Sequence, residues 1–120
     1  MSRPVVLVAE DDASVRLTLE FVLEDGGFEV LFAHDGEEAL RLARDELPSA
    51  ILLDQVMPKM DGKEVLSALR DEEPTSKIPV FVLTGMDRGS ADEWPGAHFV
   101  GKPFSPGELV SQLKSAIVGP

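Results

Sequence analysis

Residues 4–12 read PVVLVAEDD, an apolar run that ends in three acids, and residues 50–54, AILLD, repeat the pattern with a single acid. Runs as continuously apolar as these are typical of parallel strands that are buried on both faces of a sheet. Three further short runs also have strand character. The five predicted strands are residues 5–9, 29–33, 50–53, 80–84 and 98–101.

Between these strands, apolar residues recur at the three- and four-residue spacing of amphipathic helices. Four helices are predicted, around residues 15–23, 39–47, 65–69 and 109–117. An acid or hydroxyl three residues before a Glu, the capping-box spacing, is present at Asp35, Asp61 and Ser105. We interpret Asp12 as a cap of the first helix. Strands that alternate with helices predict a doubly wound α/β fold with one five-stranded parallel sheet.

Length and composition exclude several classes of protein. With 120 residues and 43% hydrophobic content, we expect a single domain over residues 1–120. No apolar run approaches the roughly 20 residues of a membrane span, and no signal peptide is recognisable, so we expect a cytoplasmic protein. The chain has no Cys, which excludes disulfides and thiolate sites. A formal net charge of -11 opposes binding to nucleic acid.

Polar residues stand at the carboxyl ends of the predicted strands, the edge where doubly wound sheets bind ligands. Glu10 and Asp11 follow the first strand and Asp54 the third, while Thr84 ends the fourth and Lys102 follows the fifth. We expect these side chains to converge. Crowded carboxylates repel one another unless a cation is present. Because the ligands would all be oxygen atoms, the pattern favours Mg²⁺, with Mn²⁺ as a possible substitute.

The sequence resembles the receiver domains of bacterial response regulators over nearly the whole chain. The resemblance is carried by four motifs in a fixed order: Glu10-Asp11, the stretch DQVMPKMDG at residues 54–62, Thr84-Gly85, and Lys102-Pro103-Phe104. Each motif is weakly specific alone, but the ordered set is strongly specific. The resemblance implies the flavodoxin-like strand order 2-1-3-4-5.

The resemblance also implies the chemistry of the site. Asp54 would be the phosphoacceptor, and Glu10, Asp11 and Asp54 would hold Mg²⁺ together with the main-chain carbonyl of Val56. A carboxylate can attack phosphorus directly, whereas the charge that develops on the transferred group must be met by a metal or by donors.

The remaining roles implied by the resemblance concern the response to phosphorylation. Thr84 would contact a phosphoryl oxygen, and Lys102, before a cis peptide bond, would pair with the phosphate. Phe99 stands where family members have a switch aromatic, although plain core packing explains a Phe equally well. The phosphoryl group would come from a sensor histidine kinase or a phosphotransfer protein, and phosphorylation would change the binding of a downstream protein. Such a chain assists its own phosphorylation and dephosphorylation but is not a conventional enzyme.

The sequence departs from the family pattern between the fourth and fifth strands. Only seventeen residues separate Thr84 from Lys102, and residues 85–96 among them include three Gly and one Pro, which predicts that the fourth helix of the family is short or distorted here. This keeps open a pseudo-receiver, a binding module that is not phosphorylated. An aspartyl phosphatase would need a second acid two positions after Asp54, where Val56 stands. In a flavodoxin-like electron carrier, the acids at residues 10–12 would repel the flavin phosphate.

Overall fold

The computed structural model describes residues 3–54, 62–84, 96–101 and 105–118. Its five strands form one parallel sheet in the order β2-β1-β3-β4-β5. The predicted fold class and strand order are therefore confirmed. The strands are β1 Val5–Ala9, β2 Glu29–Ala33, β3 Ala50–Asp54, β4 Val80–Thr84 and β5 His98–Gly101. The one difference from the predicted bounds is that Asp54 is itself the last residue of β3.

The described residues also form four α-helices and one short 3₁₀ turn. The helices are α1 Ala13–Asp25, α2 Gly36–Glu46, α3 Gly62–Arg70 and α4 Pro106–Val118, and the 3₁₀ turn is Thr75–Lys77. All four predicted amphipathic helices are present. The short or distorted helix predicted between β4 and β5 lies outside the described residues, as does the predicted cap at Asp61. Among the helices of the described part, none is both long and apolar enough to cross a membrane.

The core has two layers, one on each face of the sheet. Because successive side chains of a strand point to opposite faces, alternate residues of β1, β3 and β4 contribute to different layers. One layer packs α2 and α3 against Leu7, Ile51, Leu53 and Val82. The other packs α1 and α4 against Val8, Leu52, Phe81 and Leu83. All these side chains are buried, as the continuous apolar runs predict.

Side-chain caps fix the two loops at the carboxyl edge of the sheet that lead into α1 and α2. Asp12 is the N-cap of α1, where its carboxylate accepts the main-chain N–H groups of Ser14 at 2.8 Å and Val15 at 3.2 Å. The carboxylate of Asp35 caps α2 by accepting the N–H of Glu38 at 2.9 Å. Capping bonds of this kind satisfy orphan N–H groups at the start of a helix. The predicted cap role of Asp12 is confirmed.

Candidate functional site

Glu10 lies at the end of β1, and its main chain continues the strand pairing. Its N–H donates to the carbonyl of Ala33 at 3.1 Å, one step beyond the last paired residues of β1 and β2. The side chain is almost fully buried, with 1% relative exposure, and its Oε2 accepts the N–H of Asp12 at 3.2 Å. The turn from β1 to α1 therefore holds a buried carboxylate in a fixed position.

Arg16 supports the same turn from the first turns of α1. Its Nη1 donates to the carbonyl of Glu10 at 3.0 Å, across six residues of sequence. This bond ties the start of α1 to the end of β1 and places a cation beside an acidic turn. Arg16 was not among the site residues predicted from the sequence. The only sequence signal that could have identified Arg16 is its position, since it is a basic residue within the first two turns of a helix that follows three acids.

Asp54 ends β3, whose residues are all buried. Its main chain pairs with Leu83 of β4, and the preceding residue, Leu53, pairs with Ala9 of β1. Pairing on both sides fixes the end of β3 at the centre of the sheet. Only 9% of the Asp54 residue is exposed, in contrast to Asp11, which is exposed. The site therefore consists of two buried carboxylates and one at the surface.

Glu10, Asp11 and Asp54 form a single carboxylate cluster at the carboxyl edge of the sheet. One carboxylate oxygen from each residue lies within 4.8 Å of the others. At this separation two unit charges in a protein environment repel by roughly 3 kcal/mol when the effective dielectric constant is about 20. Three such carboxylates favour any ligand that brings positive charge.

The donor set of this cluster fits Mg²⁺. The ion prefers hard oxygen ligands and is usually bound by one or two carboxylates together with water molecules. Oxygen atoms that share one octahedral Mg²⁺, with bonds of about 2.1 Å, lie roughly 3 to 4 Å apart. Separations within 4.8 Å approach that spacing, so modest side-chain rotations would close the remaining difference.

Of the other predicted site residues Thr84, Val56 and Lys102, only Thr84 lies within the described part of the chain. Thr84 is the last residue of β4 and pairs through its main chain with Gly101, one position beyond the pairing of Asp54 with Leu83. Val56 and Lys102 lie outside the described residues, as does the predicted cis peptide bond after Lys102. The structure thus brings three of the predicted residues together and puts Thr84 on the neighbouring strand.

Phe99 lies in the middle of β5, opposite Val82 of β4. Its side chain is half-buried and packs against the core layer that also contains α2 and α3. This placement agrees with the core-packing interpretation of Phe99. The role of Phe99 in switching is therefore a proposal, given below.

A second polar cluster occupies the loop from β2 to α2. Glu38 accepts the main-chain N–H of His34 at 2.7 Å, and the Nδ1 of the His34 ring lies 3.0 Å from the same oxygen. These hydrogen bonds, first the one from the main chain and then the one from the ring, hold the pKa of Glu38 below its ordinary value. Arg41 lies 3.7 Å from the other carboxylate oxygen.

Comparison with known proteins assigns the chain to a family. The sequence matches the response regulator receiver domain family over residues 6–114. The chain belongs to this family. The receiver domain resembles the ycf27 protein of Porphyra purpurea, with 42% identity over 116 residues that cover 93% of this chain and 46% of that protein. It is also 36% identical to the phosphate regulon transcriptional regulatory protein PhoB of Escherichia coli, over 93% of this chain and 51% of PhoB.

A solved structure shows the same fold in a relative. The receiver domain of the sensor histidine kinase PA1611 from Pseudomonas aeruginosa superposes with a TM-score of 0.91 and 26% identity, covering 98% of this chain and all of that one. That structure has a magnesium ion coordinated in its active-site cleft. The present receiver domain spans about half the length of the curated relatives it matches.

Proposed function

We propose that this receiver domain accepts a phosphoryl group on Asp54 in a reaction that depends on Mg²⁺. One observation carries the proposal: the carboxylates of Glu10, Asp11 and Asp54 meet within 4.8 Å at the carboxyl edge of the sheet. A hydrophobic sheet interior does not need this arrangement, and the repulsion between the three groups opposes folding unless a ligand compensates it.

In the proposed reaction, a carboxylate oxygen of Asp54 forms a bond to phosphorus while the bond from phosphorus to the donor atom breaks. The leaving group keeps the electron pair of the broken bond and takes a proton from solvent or from the donor protein. The burial of Asp54 at the end of β3 holds the nucleophile in place and limits water around it. Bound Mg²⁺ would offset the negative charge that the incoming phosphoryl group brings to the cluster.

The residues at the ends of the other strands complete the proposal. We assign Glu10 and Asp11, with Asp54 and the carbonyl of Val56, to holding the metal. Thr84 is assigned to contacting the phosphoryl group, because β4 ends beside β3 at this edge.

Two further residues would act after phosphorylation. Lys102, which follows β5 in sequence, would pair with the phosphate, since an ammonium is the natural counterion of an added dianion. Phe99 would repack against the core layer when Thr84 moves. These two roles follow from family membership and from the positions of the residues on β5 and just after it.

Membership of the receiver family also suggests partners. The donor would be a sensor histidine kinase or a phosphotransfer protein, and phosphorylation would alter the binding of a downstream protein. We propose that residues 1–120 form one receiver domain, without nucleic-acid binding of its own because of its net charge of -11. PhoB is a transcriptional regulatory protein of about twice this length, so a transcriptional output attached to the receiver is the natural hypothesis.

The decisive experiment is incubation with acetyl phosphate and Mg²⁺, followed by intact mass spectrometry. We expect the wild-type protein to gain the mass of one phosphoryl group and Asp54→Asn to gain none. Asp25→Asn removes an exposed acid at the far end of α1 and should be phosphorylated like the wild type. Absence of any gain in the wild type would establish the pseudo-receiver instead. A gain that survives Asp54→Asn would refute Asp54 as the acceptor.

A further inference from the structure

A cavity of about 610 Å³ lies at the opposite edge of the sheet from the carboxylate cluster. Its walls are Arg70 at the end of α3, residues 76–79 just before β4, Phe81 within β4, residues 96 and 98 around the start of β5, and the side of α4 that carries Ser111 and Ser115. Binding sites for small molecules typically have volumes of roughly 300 to 1,000 Å³. The cavity is therefore large enough for an organic ligand, and none of its described lining residues belongs to the proposed phosphorylation site.

The charge of this cavity differs from that of the rest of the domain. The chain has 22 acidic and 11 basic residues, yet none of the described residues that line the cavity is Asp or Glu. Arg70, Lys77 and His98 all line it. In a protein with a net charge of -11, a concave surface with this composition repels a small anion less than surfaces that carry acids do.

Arg70 gives the cavity a fixed wall. Its Nη1 donates to the carbonyls of Ser76 at 3.0 Å and Ile78 at 2.9 Å, which ties the end of α3 to the segment leading into β4. Partial burial lowers the pKa of Arg70 from its ordinary value, but the guanidinium group stays charged at neutral pH. Because this side chain is held at two points, the cationic wall of the cavity is preorganised.

The cavity also has an aromatic and apolar side. The ring of the exposed His98 stacks on the buried Phe81, with ring centroids 4.7 Å apart and an angle of 21° between the planes. Ile78 and Ala116 line the same cavity. A stacked aromatic pair beside aliphatic side chains suits a flat apolar ring, which can be buried there without losing hydrogen bonds.

We propose that this cavity binds a small organic anion that carries a flat aromatic ring. The ring would lie against His98 and the aliphatic side chains, and the anionic group would face Lys77. The ammonium of Lys77 lies 3.9 Å from a carboxylate oxygen of Glu73, and both side chains are mostly exposed. An exposed pair of this length contributes little to stability, so Lys77 can turn toward a ligand at low cost.

Titration of the labelled protein by NMR with three probes tests the proposal. The probes are naphthoate, which has the ring and the charge, naphthalenemethanol, which has the ring alone, and acetate, which has the charge alone. We expect naphthoate to shift the amides of residues 76–78, 98 and 111–116 and to bind at least threefold more tightly than either of the other probes.

Two exposed positions supply variants that should leave the fold intact. Lys77→Gln should weaken naphthoate binding about threefold to tenfold, and Ser115→Trp should block it by filling the cavity. Lys114→Gln removes another exposed ammonium, from α4 next to Ser115 but outside the cavity, and should bind like the wild type. Asp54→Asn should also bind like the wild type, and phosphorylation of Asp54 in the wild type should leave naphthoate binding unchanged. The proposal is overturned if naphthoate shifts other regions or none, if naphthalenemethanol binds equally well, or if Ser115→Trp binds normally.

Discussion

Leu47 adopts a backbone conformation that L residues rarely take. Its φ of 47° and ψ of 62° put it in the left-handed region, where it ends α2 by donating its N–H to the carbonyl of Ala43. A side chain with a β-carbon costs about 1 to 2 kcal/mol there relative to the right-handed region. Almost half of Leu47 is exposed, so burial recovers only part of this cost. Pro48 in the sequence predicts that α2 ends here, but it does not predict this conformation.

Replacing Leu47 should therefore stabilise the domain. Asn tolerates the left-handed region better than other residues that carry a side chain, and it avoids the large loss of backbone entropy that Gly would bring. We expect Leu47→Asn to raise the free energy of unfolding by about 0.5 to 1 kcal/mol, measured by urea denaturation. Leu17→Asn is the matched control, because Leu17 is also exposed but lies within α1. It should lower stability slightly, and an equal effect of both variants would argue against strain at Leu47.

At the scale of single elements, the start of α2 depends on charge. The carboxylate of Glu38 accepts hydrogen bonds from the main chain of His34, which lowers its pKa. A carboxyl group with a lowered pKa in the folded protein stabilises that protein above the pKa it has when unfolded. The stabilisation is lost as pH falls through the folded value. Since the side chain is about one-third exposed, the contribution is of the order of 0.5 kcal/mol.

Glu38→Gln should thus be less stable than the wild type at pH 6, and the difference should shrink toward pH 3. Urea denaturation at a series of pH values measures this convergence. Glu46→Gln removes an exposed acid from the other end of α2 and should show no such loss of stability at pH 6. A destabilisation by Glu38→Gln that stays constant down to pH 3 would mean that the charge of the Glu38 carboxylate contributes nothing to the stability of the folded protein.

The regular elements were predictable because local signals specify them. Short runs of strand character predicted all five strands, and Asp12 and Asp35 marked two helix starts where the structure has caps. The cluster of Glu10, Asp11 and Asp54 followed from strand ends that meet at one edge.

Features that depend on contacts distant in sequence were missed. Arg44 of α2 pairs with Glu72 from 28 residues away. No local pattern predicts the partner of such a residue. The cavity beside His98 was missed for the same reason, because its walls come from three separate parts of the chain.

At the scale of the whole molecule, the topology of the sheet and the negative net charge both affect the carboxyl edge of the sheet. A parallel sheet brings the carboxyl ends of all its strands to one edge, and here that edge carries the three clustered acids. The net charge of -11 adds a general repulsion, which salt screens. The repulsion within the cluster is local, and an ion bound between the carboxylates is the specific way to remove it. The two contributions can be separated by comparing Mg²⁺ with a salt of equal ionic strength.

Mg²⁺ should raise the melting temperature of the wild type beyond the effect of NaCl at the same ionic strength. Binding to the folded state at ten times the dissociation constant adds about 1.4 kcal/mol, which corresponds to a rise of several degrees for a domain of this size. Asp11→Ala should lose this rise, because it removes one of the three carboxylates. Without Mg²⁺, the same variant should be at least as stable as the wild type, since it also removes repulsion between like charges. The order of stability of the two proteins should therefore reverse when Mg²⁺ is added.

The reversal distinguishes a metal site from an acidic patch that is merely screened. Asp25→Ala removes one negative charge from the end of α1, away from the cluster, and should keep the full response to Mg²⁺. If Asp11→Ala and Asp25→Ala respond to Mg²⁺ equally, the response comes from net charge and the cluster is not the metal site. If Asp11→Ala alone loses the response but is less stable than the wild type without Mg²⁺ as well, Asp11 also has a structural role and the repulsion between the three carboxylates is smaller than their separation implies.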